Sequence, residues 1–358
     1  MSKNFQPLTI KDIRKETDDC VSIAFDIPVE LSNQFVFKQG QYITLKTTIQ
    51  NEEVRRSYSI CSSPLDGELR VAVKKVENGI FSTYANEQLK KGDQLEVMQP
   101  LGKFYTDLDA AEARQYIAFA AGSGITPIIS IIKTTLQTEP FSSFTLVYGN
   151  RNRNSIIFKE ALEALKNRFM GRLSIVYILS RERTDALIHF GRIDGQKCGD
   201  LCKLIIDPLI AHAIFLCGPE DMVFGVKDQL EKTGVDAKKI HFELFTSRKK
   251  EKTTTSNTLS ASTIAKSRIT VKQDGVAVDF ELAFEGESIL EAAMKNGADL
   301  PFACKGGVCC TCRAKLIEGE VIMEVNYGLE PEEIDHGFIL TCQSHPVTEK
   351  VVIDFDIK

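Results

Sequence analysis

The chain has 358 residues, 43% of them hydrophobic and 26% charged, with a formal net charge of -5. That balance excludes a disordered or fibrous polypeptide and suits two or three domains with cores of their own. No apolar run approaches the roughly 18–20 residues that cross a bilayer. The N-terminal MSKNFQPLTI also lacks a basic-then-apolar leader, so a cytoplasmic protein with no membrane partner is expected.

Residues 1–107 form the first segment. Val21, Ile23, Phe25 and Ile27 alternate, as do Leu69, Val71 and Val73, with Gly or Asp-Gly between the runs. Short alternating strands punctuated by turn residues predict a small antiparallel β-barrel. Within it stands Arg56-Ser57-Tyr58-Ser59. An Arg can hold a phosphate bidentately, and a Tyr two residues along a strand shares its face. The pair could clamp a flavin, although an isolated R-x-Y-S is equally an ordinary strand.

From Tyr116 the pattern changes. Apolar runs (YIAFAA, FTLVYG, LSIVYIL, AIFLC) alternate with helical stretches such as PIISIIKTTL and FKEALEALKN. Residues 108–248 are therefore expected to form an α/β domain with a parallel sheet covered on both faces. Gly122-Ser123-Gly124-Ile125-Thr126-Pro127 follows the first of these strands. Glycines there admit a pyrophosphate close to the backbone, the helix N-terminus supplies donors, and Pro127 suits the first helical position. Pro stands where a dinucleotide fingerprint has its third Gly, so the segment could also be a plain tight turn. Cys217-Gly218-Pro219 ends another strand at its carboxyl end, where ligands sit in open α/β sheets. Ser180 and Arg181 should emerge at the end of LSIVYIL. A hydroxyl and a guanidinium there favour the 2′-phosphate of NADPH, whereas Glu182 keeps NADH open.

The run RKKEKTTTSNTLSAST is too polar to bury itself and predicts a flexible linker over 249–266. Residues 267–358 follow, opening on RITVKQDGVAVDFEL, a hairpin around Asp274-Gly275. Ser288 precedes Glu291 by three, a capping box for a short helix that ends near Asn296-Gly297. This last segment holds 17 Asp/Glu and 8 Lys/Arg, a balance of -9 that leaves about +4 on the first 266 residues. An acidic tail argues against nucleic acid as a partner.

Five of the ten cysteines lie in the same segment. Cys304, Cys309, Cys312 and Cys342 are spaced C-x4-C-x2-C-x29-C, three thiolates from one loop and a fourth from a distant strand, as a plant-type [2Fe–2S] cluster requires. Structural zinc would use two short-spaced pairs, and no second pair exists. Gly306 and Gly307 let backbone amides turn toward the cluster. Cys310 is off the spacing and reads as an inert thiol. Cys20, Cys61, Cys198 and Cys202 read as small hydrophobes.

Taken together, RSYS, GSGITP and CGP stand in the order and at the spacing of the ferredoxin–NADP reductase superfamily, which the first 248 residues resemble. The remainder resembles a plant-type ferredoxin of β-grasp, α+β fold. The domain order is similar to that of the oxygenase reductases, and within them to the reductases of phenylacetyl-CoA epoxidases. The resemblance implies FAD rather than FMN, held by Arg56, Tyr58, Ser59, Val73, Lys74 and the turn Gly79 to Ser82. It implies nicotinamide nucleotide binding by Gly122, Gly124, Thr126 and Pro127. Cys217 and Gly218 would border the nicotinamide, and Glu243 and Phe245 would pack near the flavin. Tyr58, Ser59 and Cys217 would then stand at the reacting rings.

The activity these parts imply is electron transfer from NADPH, less readily NADH, through flavin to the cluster and on to an oxygenase. The resemblance makes that partner a multi-subunit, di-iron enzyme. Two other readings stand beside it: the reductase of another aromatic-ring oxygenase, or a non-enzymatic iron–sulfur carrier or sensor whose nucleotide sites are lost. Intact RSYS and GSGITP oppose the carrier.

Overall fold

The computed structural model describes residues 5–245 and 266–357. The expected linker lies outside the described residues except for Lys266. That residue belongs to a strand instead, paired with Ala283. The chain divides into two units on either side of the 245/246 boundary.

Six strands open the first unit: β1 (Phe5–Thr17), β2 (Cys20–Asp26), β3 (Tyr42–Ile49), β4 (Glu52–Ser59), β5 (Leu69–Lys74) and β6 (Gln94–Met98). They pair antiparallel in the order β4-β3-β6-β1-β2-β5. Ile60, just past β4, bridges Val71 of β5, and the Cys61 N–H donates to the Arg70 carbonyl at 2.8 Å. The sheet thus closes on itself as the expected barrel. Ile23, Ile43, Leu45, Val71 and Val73 fill it.

The alternation in β2 and β5 does not mark one wet face, because both faces are covered. Cys20 and Ala72 join the core of the following lobe, alongside Ile125, Ile128 and Phe215. Cys61 belongs to the same cluster. The division expected at 107/108 separates two sheets, yet apolar packing runs across it.

The second sheet comprises β7 (Gln115–Ala121), β8 (Ser143–Asn150), β9 (Leu173–Leu179), β10 (Ala213–Cys217) and β11 (Ile240–Glu243). All pairs are parallel, in the order β11-β10-β7-β8-β9. The chain steps outward from β7 to β9, then returns to the other side of β7. The crevice between β7 and β10 is therefore the switch point, where open α/β sheets bind ligands. Helices α2 (Ile125–Thr138), α3 (Lys159–Arg168), α4 (Gly195–Leu204) and α5 (Glu220–Lys232) cross between strands. In the barrel half, α1 (Ile80–Glu87) places Phe81 and Ala85 on the barrel core. Gly79 to Ser82 is thus not the expected turn, because Gly79 caps this helix and the other three residues open it.

The second unit holds β12 (Lys266–Gln273), β13 (Val276–Ala283), β14 (Arg313–Glu318), β15 (Val321–Met323), β16 (Phe338–Leu340), β17 (Ser344–Pro346) and β18 (Lys350–Asp354). Its main sheet runs β13-β12-β18-β14-β16 with only β12–β18 parallel. Helix α6 (Ile289–Lys295) packs Ile289, Leu290, Ala292 and Ala293 into its core, and α7 (Pro331–Asp335) is a single turn. This is the expected β-grasp. The β12–β13 hairpin turns at Asp274 (φ 50°) and Gly275 (φ 75°), the left-handed pair of a type I′ turn. Ser288 Oγ accepts from the Glu291 N–H at 3.3 Å, so the cap forms from that side. Among the described residues no helix is long and apolar enough to cross a membrane.

Candidate functional site

Four segments far apart in sequence meet at the switch point. The strand register sets Cys217 beside Ala120 on β7 and beside Glu243 on β11. A Cβ on Gly124 would come within 2.0 Å of the Cys217 carbonyl, so only glycine lets the GSGITP turn lie against the CGP segment. A Cβ on Gly218 would press on Met222 and Ala121. From the barrel, the Ser59 hydroxyl donates to Glu243 Oε2 at 3.0 Å. Burial pushes the Glu243 carboxyl up to about 7, only partly countered by Ser59. The Cys217 thiol is raised by burial first and by Glu243 second, which keeps it a neutral, uncharged wall.

The GSG turn is a single 3-10 turn, and α2 begins at Ile125. Pro127 is therefore the third helical residue, not the first. It is tolerated because the first four N–H groups have no partner within the helix. The Thr126 hydroxyl donates to the Ser123 carbonyl at 3.0 Å and braces the turn. Tyr148 on β8, which the sequence did not single out, donates its hydroxyl to the Gly122 carbonyl at 3.0 Å.

On the barrel, Arg56 is exposed, its NH1 on the neighbouring Arg55 carbonyl at 2.7 Å. Tyr58 is half-buried, with its ring centroid 5.4 Å from that of Phe81; burial raises its phenol far out of the working range. Lys74 lies 3.6 Å from Asp19, and a Cβ on Gly122 would stand 3.9 Å from its ammonium. Lys74 of the barrel therefore stands beside the Gly122 turn. Val73 is fully buried in the barrel core, so its side chain is not available. The Ser82 hydroxyl donates to the Gly79 carbonyl and accepts from the Val76 N–H, both at 3.2 Å. Phe245 is exposed at the end of the unit.

In the second unit, Cys304, Cys309 and Cys312 lie on the loop before β14. Cys342 sits on the turn between β16 and β17 rather than on a strand. The thiols fall into two pairs. Cys309 donates to Cys304 at 3.1 Å, and Cys312 pairs with Cys342. Cys304 is held below the usual thiol range by Cys309 first, and after burial's opposing effect by the N–H groups of Gly306, Cys309 and Val308. The Gly306 N–H is 3.3 Å from Cys304 Sγ. Gly307 has φ 72°, and a Cβ there would strike the Val325 carbonyl at 2.7 Å. Gln343 ties the two cysteine segments together, donating to the carbonyls of Lys305 at 3.1 Å and Cys342 at 2.9 Å. Cys310 turns its thiol to the Gly328 carbonyl at 2.7 Å. Among the described residues no three His, Cys, Asp or Glu side chains converge as a single metal ion would need. Two thiols for each of two irons fit this arrangement better than one tetrahedral zinc.

Residues 7–105 match the oxidoreductase FAD-binding domain, 119–228 the oxidoreductase NAD-binding domain, and 271–347 the 2Fe-2S iron-sulfur cluster binding domain. The chain is 45% identical to one of the subunits of the 1,2-phenylacetyl-CoA epoxidase of Escherichia coli K12, over 99% of this chain and 98% of that protein. It is 32% identical to the ferredoxin reductase component of 3-ketosteroid-9-alpha-monooxygenase from Rhodococcus rhodochrous, over 97% and 96% of the two. The chain belongs to the ferredoxin–NADP reductase-type oxygenase reductases with a C-terminal [2Fe–2S] domain. Its fold matches that of phthalate dioxygenase reductase with a TM-score of 0.60 at 24% identity, covering 98% of each chain.

This reductase is an NAD(P)H-dependent flavin and iron–sulfur oxidoreductase with FAD and [2Fe–2S] as its cofactors. Ser180 and Arg181 emerge at the carboxyl end of β9, as expected. Ser180 donates its N–H and its hydroxyl to the Asn150 carbonyl at 2.9 and 3.3 Å. Arg181 is exposed.

Proposed function

We propose that this reductase carries electrons from NADPH through FAD and the [2Fe–2S] cluster to a multi-subunit di-iron oxygenase of the phenylacetyl-CoA epoxidase type. The observation that carries the partner is the 45% identity to an epoxidase subunit over nearly all of both chains. FAD bound at the crevice would turn the electron pair of a hydride into single electrons for the cluster. Arg56 would hold the flavin's phosphate, Lys74 would add charge beside it, and Tyr58 would cover the ring. Val73 would contribute through its backbone, and Gly79 with the Ser82 hydroxyl, at the start of α1, would meet the flavin's phosphates. Gly122, Gly124, Thr126 and Pro127 would seat the nucleotide's diphosphate. Cys217 and Gly218 would border the nicotinamide, with Ser59 donating to the buried Glu243 carboxyl beside them. Phe245 would cover the flavin from the end of the unit. Ser180 and Arg181 would receive the 2′-phosphate. Cys304, Cys309, Cys312 and Cys342 would hold the cluster.

The cluster unit's balance of -9 favours an electron-transfer complex driven by charge, with association that weakens as salt rises. The test is reconstitution with purified phenylacetyl-CoA epoxidase and with a 3-ketosteroid 9α-monooxygenase. Substrate-dependent NADPH and oxygen consumption should appear with the epoxidase and fall from low to high ionic strength. Coupling to the other oxygenase alone would remove this partner.

A further inference from the structure

At the carboxyl ends of β8 and β9 two loops run side by side. The Asn150 carbonyl accepts from the Ser180 N–H at 2.9 Å, and the Arg151 carbonyl from the Arg181 N–H at 2.8 Å. They bring Arg151, Arg153, Arg181 and Arg183, all exposed, to one edge of the sheet. Between Arg181 and Arg183 stands Glu182, and Arg153 holds both of its oxygens. The Arg153 guanidinium Nε lies 3.0 Å from Oε1, and the Arg153 backbone N–H donates to Oε2 at 2.8 Å. The backbone donor is set in advance. Arg153 opens a 3-10 turn whose cap, Asn152, accepts from the Ser155 N–H at 3.0 Å while Ser155 Oγ accepts from the Asn152 N–H at 3.1 Å. The guanidinium groups of Arg151, Arg181 and Arg183 form no ion pair among the described residues.

A carboxylate at this strand end has a definite chemical effect. It accepts from the two hydroxyls of an unphosphorylated ribose and repels a 2′-phosphate. Glu182 is placed in sequence to do this, yet its oxygens are already occupied. We infer that Arg153 is a positioning residue for nicotinamide choice. By holding Glu182 it withholds the acceptor that NADH would use, and it leaves Arg181 to the 2′-phosphate of NADPH. The inference rests on the NADPH reading proposed above and adds the residue that enforces it.

Calorimetric titration of the holoenzyme with 2′,5′-ADP and with 5′-AMP separates the two claims. The NADPH reading requires the wild type to bind 2′,5′-ADP more tightly, and the reverse order overturns it. The clamp is judged on the ratio of the two dissociation constants. Arg153→Ala takes the guanidinium from Oε1, leaves only the backbone N–H on Oε2, and should shift that ratio toward 5′-AMP by up to about fivefold, the scale of one exposed charge pair. Arg153→Ala with Glu182→Gln should restore the ratio, because the freed group no longer carries charge. A purely structural role would weaken both probes alike. An unchanged ratio in Arg153→Ala, or no recovery in the double variant, overturns the clamp.

Discussion

At the scale of single residues, the electrostatics of the crevice turn on Glu243. Its carboxyl, raised to about 7 by burial, stays protonated in the folded protein while the unfolded chain ionises near 4.5. The folded state thus binds more protons between those values. Glu243's contribution to stability is complete below the unfolded value and is lost as pH rises through about 7. Thermal denaturation of the holoenzyme from pH 5 to 8 should show that fall, and Glu243→Gln should flatten it. Parallel curves for the two proteins would contradict the buried, neutral carboxyl. Arg56 offers a second test, since among the described residues its exposed guanidinium makes only a local bond to a backbone carbonyl. If it holds the flavin's phosphate, Arg56→Ala should weaken FAD binding by about one to two decades, the worth of a charge-assisted hydrogen bond. Flavin fluorescence during dialysis measures this, and unchanged retention would remove Arg56 from the site. Ser59 and Cys217 could be singled out from motif order and Glu243 from the family resemblance, but their convergence could not. Residues 59 and 243 meet only because the barrel and the parallel sheet share a core.

Among elements, the GSGITP turn depends on close approach to the end of β10. Gly124→Ala would drive a Cβ to 2.0 Å from the Cys217 carbonyl, and that backbone has nowhere to move without pulling β10 from β7. A loss of about 1–3 kcal/mol is expected, together with weaker nucleotide binding. Gly199, inside α4, is the contrast. Its added Cβ would touch only the flexible Gln229 side chain at 3.4 Å, so Gly199→Ala should be neutral or stabilising by up to about 1 kcal/mol. Equal losses in the two variants would show that the crevice does not need the glycine. The sheet of this lobe was readable because fully apolar strands separated by helices have few other solutions. Helix α1 was not, because Gly79-Ile80-Phe81-Ser82 offers a turn signal and its helical face shows only once Phe81 meets the barrel core. The start of α2 lies two residues before the one that Pro127 suggests, because Pro is acceptable anywhere in a helix's first turn. The Arg153–Glu182 pair joins two loops whose adjacency only the β8–β9 register creates.

For the whole molecule, composition marked a boundary near residue 248 and spacing singled out four candidate cluster cysteines, while the pairing of thiols needed the loops in place. Cys342 lies on a turn, brought to Cys312 by Thr341, whose hydroxyl and N–H both reach the Cys312 carbonyl, at 3.0 and 3.2 Å. Because the four candidate cysteines belong to a unit with its own core, Cys342→Ser should lose the cluster's paramagnetic signal yet keep FAD and NADPH-dependent dye reduction. Loss of dye reduction in step with the cluster would contradict independent units. In the proposed path, nicotinamide electrons reach the cluster only through the flavin. Its most direct test is electron paramagnetic resonance of the anaerobic protein frozen after one equivalent of NADPH, with and without bound FAD. A reduced [2Fe–2S] signal is expected from the FAD-replete protein and none from protein stripped of flavin, with recovery when FAD is restored. A reduced cluster in the flavin-free protein, or an oxidised one in the replete protein, would contradict it.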